Sequence, residues 1–327
     1  MATFPRACIR GLSALLLGLS GGGVAAEEAV ELRWLGVAGF SISADDTTLL
    51  HDPYLSRPGI WRTLTSWYEP DEAVLAPLFG DGSRAPELAR ARAILIGHSH
   101  FDHLGDAPWI ARHTGARVLG SLTSVSIAQA YGVEAAGTER LDPGQVTYVG
   151  PFAVRVIRSR HAGVMFGRVP LEGAYESPPE APLHALSFPL GDARLYLVTH
   201  DPSGVRILLT SSASLHPPTL HTLRAEQLSV DVLLAATQGR DAHYARALVA
   251  TFRPRLVVPH HYESFFTPLD APDAAEPSDP EDVAAFEQEV RDAAAAEKLA
   301  VEVRRMALFE TLVLPQRALA AHAGEGG

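Results

Sequence analysis

Within one short stretch, Gly97-His98-Ser99-His100-Phe101-Asp102-His103-Leu104-Gly105-Asp106, the chain places three histidines and a carboxylate that could ligate metal. Imidazole nitrogen and carboxylate oxygen suit zinc, and they also accommodate iron or manganese. His98 and His100 are two residues apart, so on an extended backbone their rings project to one side and toward one point. Asp102 and His103 follow at once, on backbone already turning, and reach a second point close by. A polar loop whose histidines only cap a helix is the plainer reading. Four potential ligands in six residues weigh against it and favour a metal site.

The elements around this stretch are built to position it. An apolar run over 93–96 has the length and composition of a buried strand, and 106–112 reads as the first turns of a helix. The ligands therefore sit where a core strand ends, a common place for active sites on α/β scaffolds. Residues 30–34 and 39–43 alternate as two antiparallel strands, and 47–50 continues that sheet into the turn Asp52-Pro53-Tyr54. Asp52, just beyond a strand, is placed either to accept the far N–H of a ligand histidine or to form an Asx turn.

At these residues the sequence resembles the metallo-β-lactamase superfamily, whose hallmark His-x-His-x-Asp-His is complete here as His98, His100, Asp102 and His103. The opening Trp34-Leu35-Gly36-Val37-Ala38-Gly39-Phe40 and the Asp52-Pro53-Tyr54 turn are similar to the ascorbate-phosphate lactonase-like and N-acyl-phosphatidylethanolamine phospholipase D-like branch. The resemblance implies a third ligand to the first metal at His161, which follows an alternating strand. It implies a last ligand in a Pro-x-His-Tyr setting, which selects His261 over His260 and leaves His260 a structural role. Many members carry an aspartate that bridges two metals. Ser212 stands near that position, with no carboxylate between Val205 and Leu215. The expectation is one tightly bound Zn(2+) and at most a weaker second ion.

The resemblance also implies metal-assisted hydrolysis. A metal on His98, His100 and His161 would lower the pKa of bound water from about 15.7 toward 7. Asp102 would orient the resulting hydroxide and pass its proton to the leaving group. Tyr262, beside His261, is placed either to donate to a developing oxyanion or to pack as an aromatic. An ester, a lactone and a phosphodiester all remain open as substrates. A non-catalytic metal-binding or sensing protein and a diiron oxidoreductase are the competing readings. The intact ligand set weighs against the first, and the second would want bridging carboxylates and an added flavodoxin-like domain.

Composition bounds the rest. The chain has 327 residues, 47% hydrophobic and 20% charged, which is globular. With 27 basic against 38 acidic residues and a net charge of −11, it lacks the basic surface that nucleic acid requires. A small-molecule substrate is the expected partner. Residues 1–26 have the layout of a secretory signal peptide: Arg6 and Arg10, a short apolar run over 11–19, then Val24-Ala25-Ala26 as the cleavage site. That run is too short and glycine-rich to span a bilayer. A periplasmic or secreted protein follows. Cleavage would also remove Cys8, the one cysteine, leaving no disulfide and no thiolate ligand.

Further strands are predicted over 117–119, 145–149, 152–157, 186–190, 193–199, 205–210, 230–235, 256–259, 301–303 and 307–314. Helices are predicted over 86–92, 124–131, 220–228 and 241–252, with another from the capping box Ser278-Asp279-Pro280-Glu281 to about 299. Residues 59–84, carrying Trp61, Trp67, Tyr68 and Phe79, read as a long loop, either a flap beside the substrate or packed surface. Residues 162–183 read as a loop walling the substrate site. No internal repeat or interdomain linker is visible. The expectation is one domain over 27–316, an αββα sandwich of two mixed sheets with outer helices, and a disordered tail over 317–327.

Overall fold

The structure, a computed structural model, describes residues 29–164 and 167–315. The predicted leader, the predicted tail and residues 165–166 lie outside the described residues.

The chain first lays down β1 (Val30–Gly36), β2 (Gly39–Ala44), β3 (Thr47–His51), β4 (Ala91–Leu95), β5 (Arg117–Gly120) and β6 (Thr138–Arg140). It then builds a second sheet from β7 (Val146–Val149), β8 (Phe152–Arg158), β9 (Arg194–His200), β10 (Arg206–Leu209), β11 (Val232–Ala236), β12 (Leu256–His260) and β13 (Glu302–Val303). It returns as β14 (Thr311–Leu314) to the free side of β1. The spatial orders are β14-β1-β2-β3-β4-β5-β6 and β13-β12-β11-β10-β9-β8-β7. Both sheets are mixed. β3 through β6 run parallel in the first, as do β10 through β13 in the second.

Period-two alternation stacks the layers. Ala93 and Leu95 of β4 face the second sheet and pack with Phe152, Val154 and Val258 between the sheets. Ile94 and Ile96 face outward, into a layer with Ile110 of α4 (Ala107–Thr114) and Ile127 of α5 (Leu122–Ala130). On the far side, Val257 packs with Leu223 of α6 (Pro217–Ala225) and under α7 (Tyr244–Phe252) and α8 (Pro280–Ala296) through Phe252, Phe286 and Val290. Each such side chain, fully buried, contributes roughly 1.5–3 kcal/mol, so an apolar residue on both faces of the central strands is what holds four layers together.

Two expectations fail. Residues 59–84 are not a loop: α1 (Ile60–Thr65) and α2 (Glu72–Phe79) form there. The Asp71 carboxylate accepts the Ala73 N–H and caps α2, which buries Leu75, Leu78 and Phe79 on one face. Pro77 and the flanking glycines hide that pattern in the sequence. Residues 186–190 are not a strand. A single 3₁₀ turn, Ala185–Ser187, is followed by Phe188, whose ring packs against Tyr68 at 5.4 Å and Tyr131 at 6.0 Å. Pro189 lacks the N–H that a ladder there would use. The strand β6 lies in a stretch for which no strand was expected.

Candidate metal centre

The carboxyl ends of β3, β4, β8, β10 and β12 all meet along one edge of the sandwich. Beyond β4, Ile96 N–H still pairs with Leu119 O, and the backbone then turns at Gly97. A side chain at Gly97 would overlap the Ser211 hydroxyl and press on Asp52, so only glycine lets these segments approach. His98, Ser99 and His100 follow, with His100 at the N-cap of α3 (Phe101–Leu104), and that single turn carries Asp102 and His103.

The ligand atoms of His98, His100 and His161 lie within 4.8 Å of one another, and so do those of Asp102, His103 and His261. The rings of His98 and His103 are 3.9 Å apart, so the two groups adjoin. His98 Nε2 and His100 Nδ1 are separated by 3.0 Å, and His103 Nε2 and His261 Nε2 by 3.3 Å. Asp102 Oδ2 lies 3.5 Å from His103 Nε2 and 3.4 Å from His261 Nε2.

The tautomers follow from what the far nitrogens do. His103 Nδ1–H donates to Asp52 Oδ2 at 2.8 Å, leaving Nε2 bare toward Asp102 and His261. His161 Nδ1–H donates to Ala162 O at 2.7 Å, which leaves its Nε2 bare as well. Bare nitrogens brought this close repel unless a proton or a cation lies between them. At the first group the imidazolium form is disfavoured. Burial lowers the pKa of His98 far below the ordinary value, that of His100 to about 3 and that of His161 to about 4. These donors therefore fit a divalent cation of the zinc type, with orienting partners behind the rings.

Asp52 does what one of its two readings required. Its backbone is left-handed, with φ of 40°. Its Oδ1 accepts Gly97 N–H at 2.8 Å while Oδ2 takes the His103 proton. Both oxygens are engaged, so this carboxylate orients the motif. Burial opposes its ionisation, but His51 and His103 beside it hold its pKa low. The same contest resolves the same way at Asp102, where His103 and His261 outweigh burial. At His103 burial is outweighed by Asp102 and Asp52, and its pKa is raised.

Ser212 follows β10, and its Oγ accepts the Ala162 N–H at 2.9 Å. It thus fixes the backbone next to His161, while supplying no charge. His261 has φ of 57° and donates its N–H to Val37 O, so the chain kinks sharply as it leaves β12. That kink sends His261 to the cluster. His260 keeps strand parity with Val258 and lies in the inter-sheet core, edge-on to Phe40 at 5.2 Å. Tyr262 is not brought to the site. Its ring packs 5.6 Å from Trp34 in the same core and does not line the cavity over the ligands, which fits the packing reading.

Three residues at the centre escaped the sequence reading. His51 donates from Nδ1 to Ala38 O at 3.1 Å, so its Nε2 accepts from the Ser211 hydroxyl, also at 3.1 Å. This buried pair closes the space beside Asp52. Asp106 collects Leu55 N–H, Ser56 N–H, the Ser56 hydroxyl and the Tyr68 hydroxyl at 2.6–3.0 Å. It ties the loop after Asp52 to the end of the ligand motif. Its adjacency to the motif was the one available signal; nothing marked Ser211.

A family profile described as a beta-lactamase superfamily domain matches residues 31–261, a span that ends at the last candidate ligand, His261. A metal-dependent hydrolase of Anaeromyxobacter sp. (strain K) is 29% identical over 248 residues, covering 74% of this chain and 77% of that protein. Another, from Polynucleobacter asymbioticus, is 27% identical over 248 residues, covering 73% and 76%. Among solved structures, the metallo-hydrolase Igni18 of Ignicoccus hospitalis superposes with a TM-score of 0.54 at 19% identity, over 88% of this chain and all of that one. The diiron β-hydroxylase CmlA of Streptomyces venezuelae gives 0.59 at 16% identity, over 89% of this chain and 55% of that one. Two facing mixed sheets, candidate ligands gathered at one edge and a profile match that runs through every one of them agree: the chain belongs to the metallo-β-lactamase superfamily of metallo-hydrolases.

Proposed function

We propose that this protein is a zinc-dependent hydrolase of a small ester, lactone or phosphodiester. The observation that carries the reading is the convergence of six candidate ligand side chains in two adjoining groups, four of which, His100, Asp102, His161 and His261, line a cavity of about 370 Å³. That volume lies in the range of small-molecule sites. When bound, the metal supplies Lewis acidity, bringing the pKa of water toward about 7 and polarising the scissile oxygen.

The chain's own residues supply the rest. Asp102 is anionic at neutral pH because His103 and His261 stabilise its charge against burial. One of its oxygens lies against those two rings, and the carboxylate lines the cavity, where it can take a proton from water and return it to a leaving group. Asp52, by holding His103, keeps that geometry fixed as charge moves. We further infer one tight metal per chain, manganese or iron being the alternatives to zinc, and export to the periplasm or beyond through residues 1–26. Export is checked by mass spectrometry of the secreted protein, which should begin at Glu27.

The test is elemental analysis of purified protein, followed by hydrolysis of p-nitrophenyl esters, lactones and bis-p-nitrophenyl phosphate. Turnover abolished by a chelator and restored by zinc is expected. Turnover indifferent to chelation, or no metal bound by the intact ligand set, would overturn the reading.

A further inference from the structure

The cavity over His100, Asp102, His161 and His261 is walled on its other sides by carbon. Leu64 of α1, Phe101, Leu171, Leu186, Phe265 and Phe266 form most of that wall. Among the described residues lining it there is no lysine or arginine, and the sole charged or titratable side chains are the candidate ligands. Thr63, Ser211, Ser212 and Gln238 complete its polar groups. The aromatic wall begins at the metal centre itself. Phe265 lies 6.2 Å from the His261 ring, 5.9 Å from Phe101 and 4.4 Å from Phe266.

The apolar surface continues past the mouth. Leu64, Val164 and Leu186 line the cavity yet are 42%, 40% and 51% exposed. On the same helix Ile60 and Trp61 are also exposed, Trp61 at 78%. Trp67, 63% exposed, bridges to His184 beside the turn that carries Leu186. Exposed apolar side chains grouped around a cleft mark a surface that something apolar covers. A phosphate-binding site would instead gather arginine, lysine or the N-terminus of a long helix around the anion. The one helix starting at the motif, α3, has four residues.

We propose that this cavity selects an uncharged carboxylic ester or lactone with an apolar arm, its carbonyl at the ligands and the arm along the phenylalanine wall and out over α1. The inference rests on the hydrolase reading above and narrows it from three substrate classes to acyl compounds. In the reaction a bond forms between water oxygen and the acyl carbon, and the acyl carbon–oxygen bond breaks. The leaving oxygen takes the proton that water gives up, yielding carboxylic acid and alcohol. No oxidant or second substrate is needed.

The experiment uses the zinc-loaded protein and p-nitrophenyl acetate, butyrate, hexanoate and octanoate, with bis-p-nitrophenyl phosphate alongside. Burying one methylene is worth about fourfold, so kcat/KM should climb by about that factor per carbon until the cavity is filled. The phosphodiester should be slower than every ester in the series. Leu64→Asp should flatten the climb by raising KM on the longer esters. A flat series with chelator-sensitive acetate hydrolysis, or a preference for the phosphodiester, would overturn the inference and leave the hydrolase reading standing. Loss of chelator sensitivity throughout would instead defeat the hydrolase reading. Methyl ketones of increasing length supply a readout free of turnover, followed by tryptophan fluorescence because Trp61 and Trp67 flank the mouth. Affinity rising with chain length is expected, and affinity independent of it would overturn the inference whatever the protein hydrolyses.

Discussion

The two halves of the metal centre are built from similar residues and behave as opposites. His98, His100 and His161 form a neutral group in which burial pushes every imidazole toward its unprotonated form. Asp102, His103 and His261 form a charged group, in which carboxylates on both sides of His103 outweigh burial and raise its pKa. The first group is tuned by desolvation and the second by charge. Joined to each other through the His98–His103 ring contact, they let one small volume combine an unprotonated ligand set with an acceptor for protons. Ser212 makes the contrast sharper, because it hydrogen-bonds to the backbone of the neutral half where a carboxylate would have shared charge between the two.

The largest effect expected from breaking this arrangement is that of His100→Ala. Removing a central ligand of the neutral group should abolish tight metal binding and activity together, by at least about a hundredfold, read by elemental analysis and ester turnover. Asp52→Asn attacks the charged half from behind. It replaces the acceptor of the His103 proton with a neutral amide, and metal affinity or activity should fall by about 10–100-fold while the first group persists.

Stoichiometry sharpens the comparison. Without a bridging carboxylate, two divalent ions about 3.5–4 Å apart repel strongly. Calorimetric titration should find one tight ion per chain and a weaker second that dialysis removes. Ser212→Asp should strengthen the second by about tenfold or more, although it also forfeits the hydrogen bond to Ala162. Two equally tight ions in the unaltered protein would contradict this.

Acid separates the halves in the metal-free protein. His100 and His161 have folded pKa values of about 3 and about 4, below the ordinary 6.5, so the unfolded chain binds more protons than the folded one as pH falls from 6.5 toward 4. Their contribution to stability is complete above 6.5 and is lost as pH falls from there through the folded values. His103, raised, works in the other sense: its contribution is present below 6.5 and fades as pH rises through its folded value. With His98, His100 and His161 all depressed against His103 raised, melting temperature in chelator should drop between pH 6.5 and 4, and His161→Gln should reduce the drop.

The smallest effect on the metal is expected at His260. His260→Ala should leave metal content and turnover near those of the unaltered protein and cost about 2 kcal/mol of stability by emptying a core position against Phe40. His261→Ala should do the reverse, weakening the charged half. Equal metal losses from both would show that the kink after β12 does not separate their roles.

Much of this was legible from residue order alone. The motif from His98 to His103 is contiguous, and the apolar run before it has the length and composition of a buried strand, although only the fold shows that Ala93 and Leu95 face one layer and Ile94 and Ile96 another. The motif and the run depend on neighbours in the chain, so the sequence by itself determined them. The choice of His261 over His260 came from resemblance, and its physical cause is a left-handed φ that no residue type announces. The helices within 59–84 were hidden by proline and glycine and are held by packing with partners far along the chain.

What only the tertiary structure decided is everything made by distance in space across large separations in sequence. Asp52 could have been a turn residue or an orienting carboxylate, and the fold settled it by bringing His103 Nδ1 to 2.8 Å. The Ser211–His51 pair, the four donors on Asp106 and the carbon wall from α1 to Phe266 each join segments that folding alone brings together. A ligand motif is local, because its spacing must suit one turn of backbone. The groups that set its protonation and the surface that chooses its substrate are non-local, because burial and field are properties of the packed molecule.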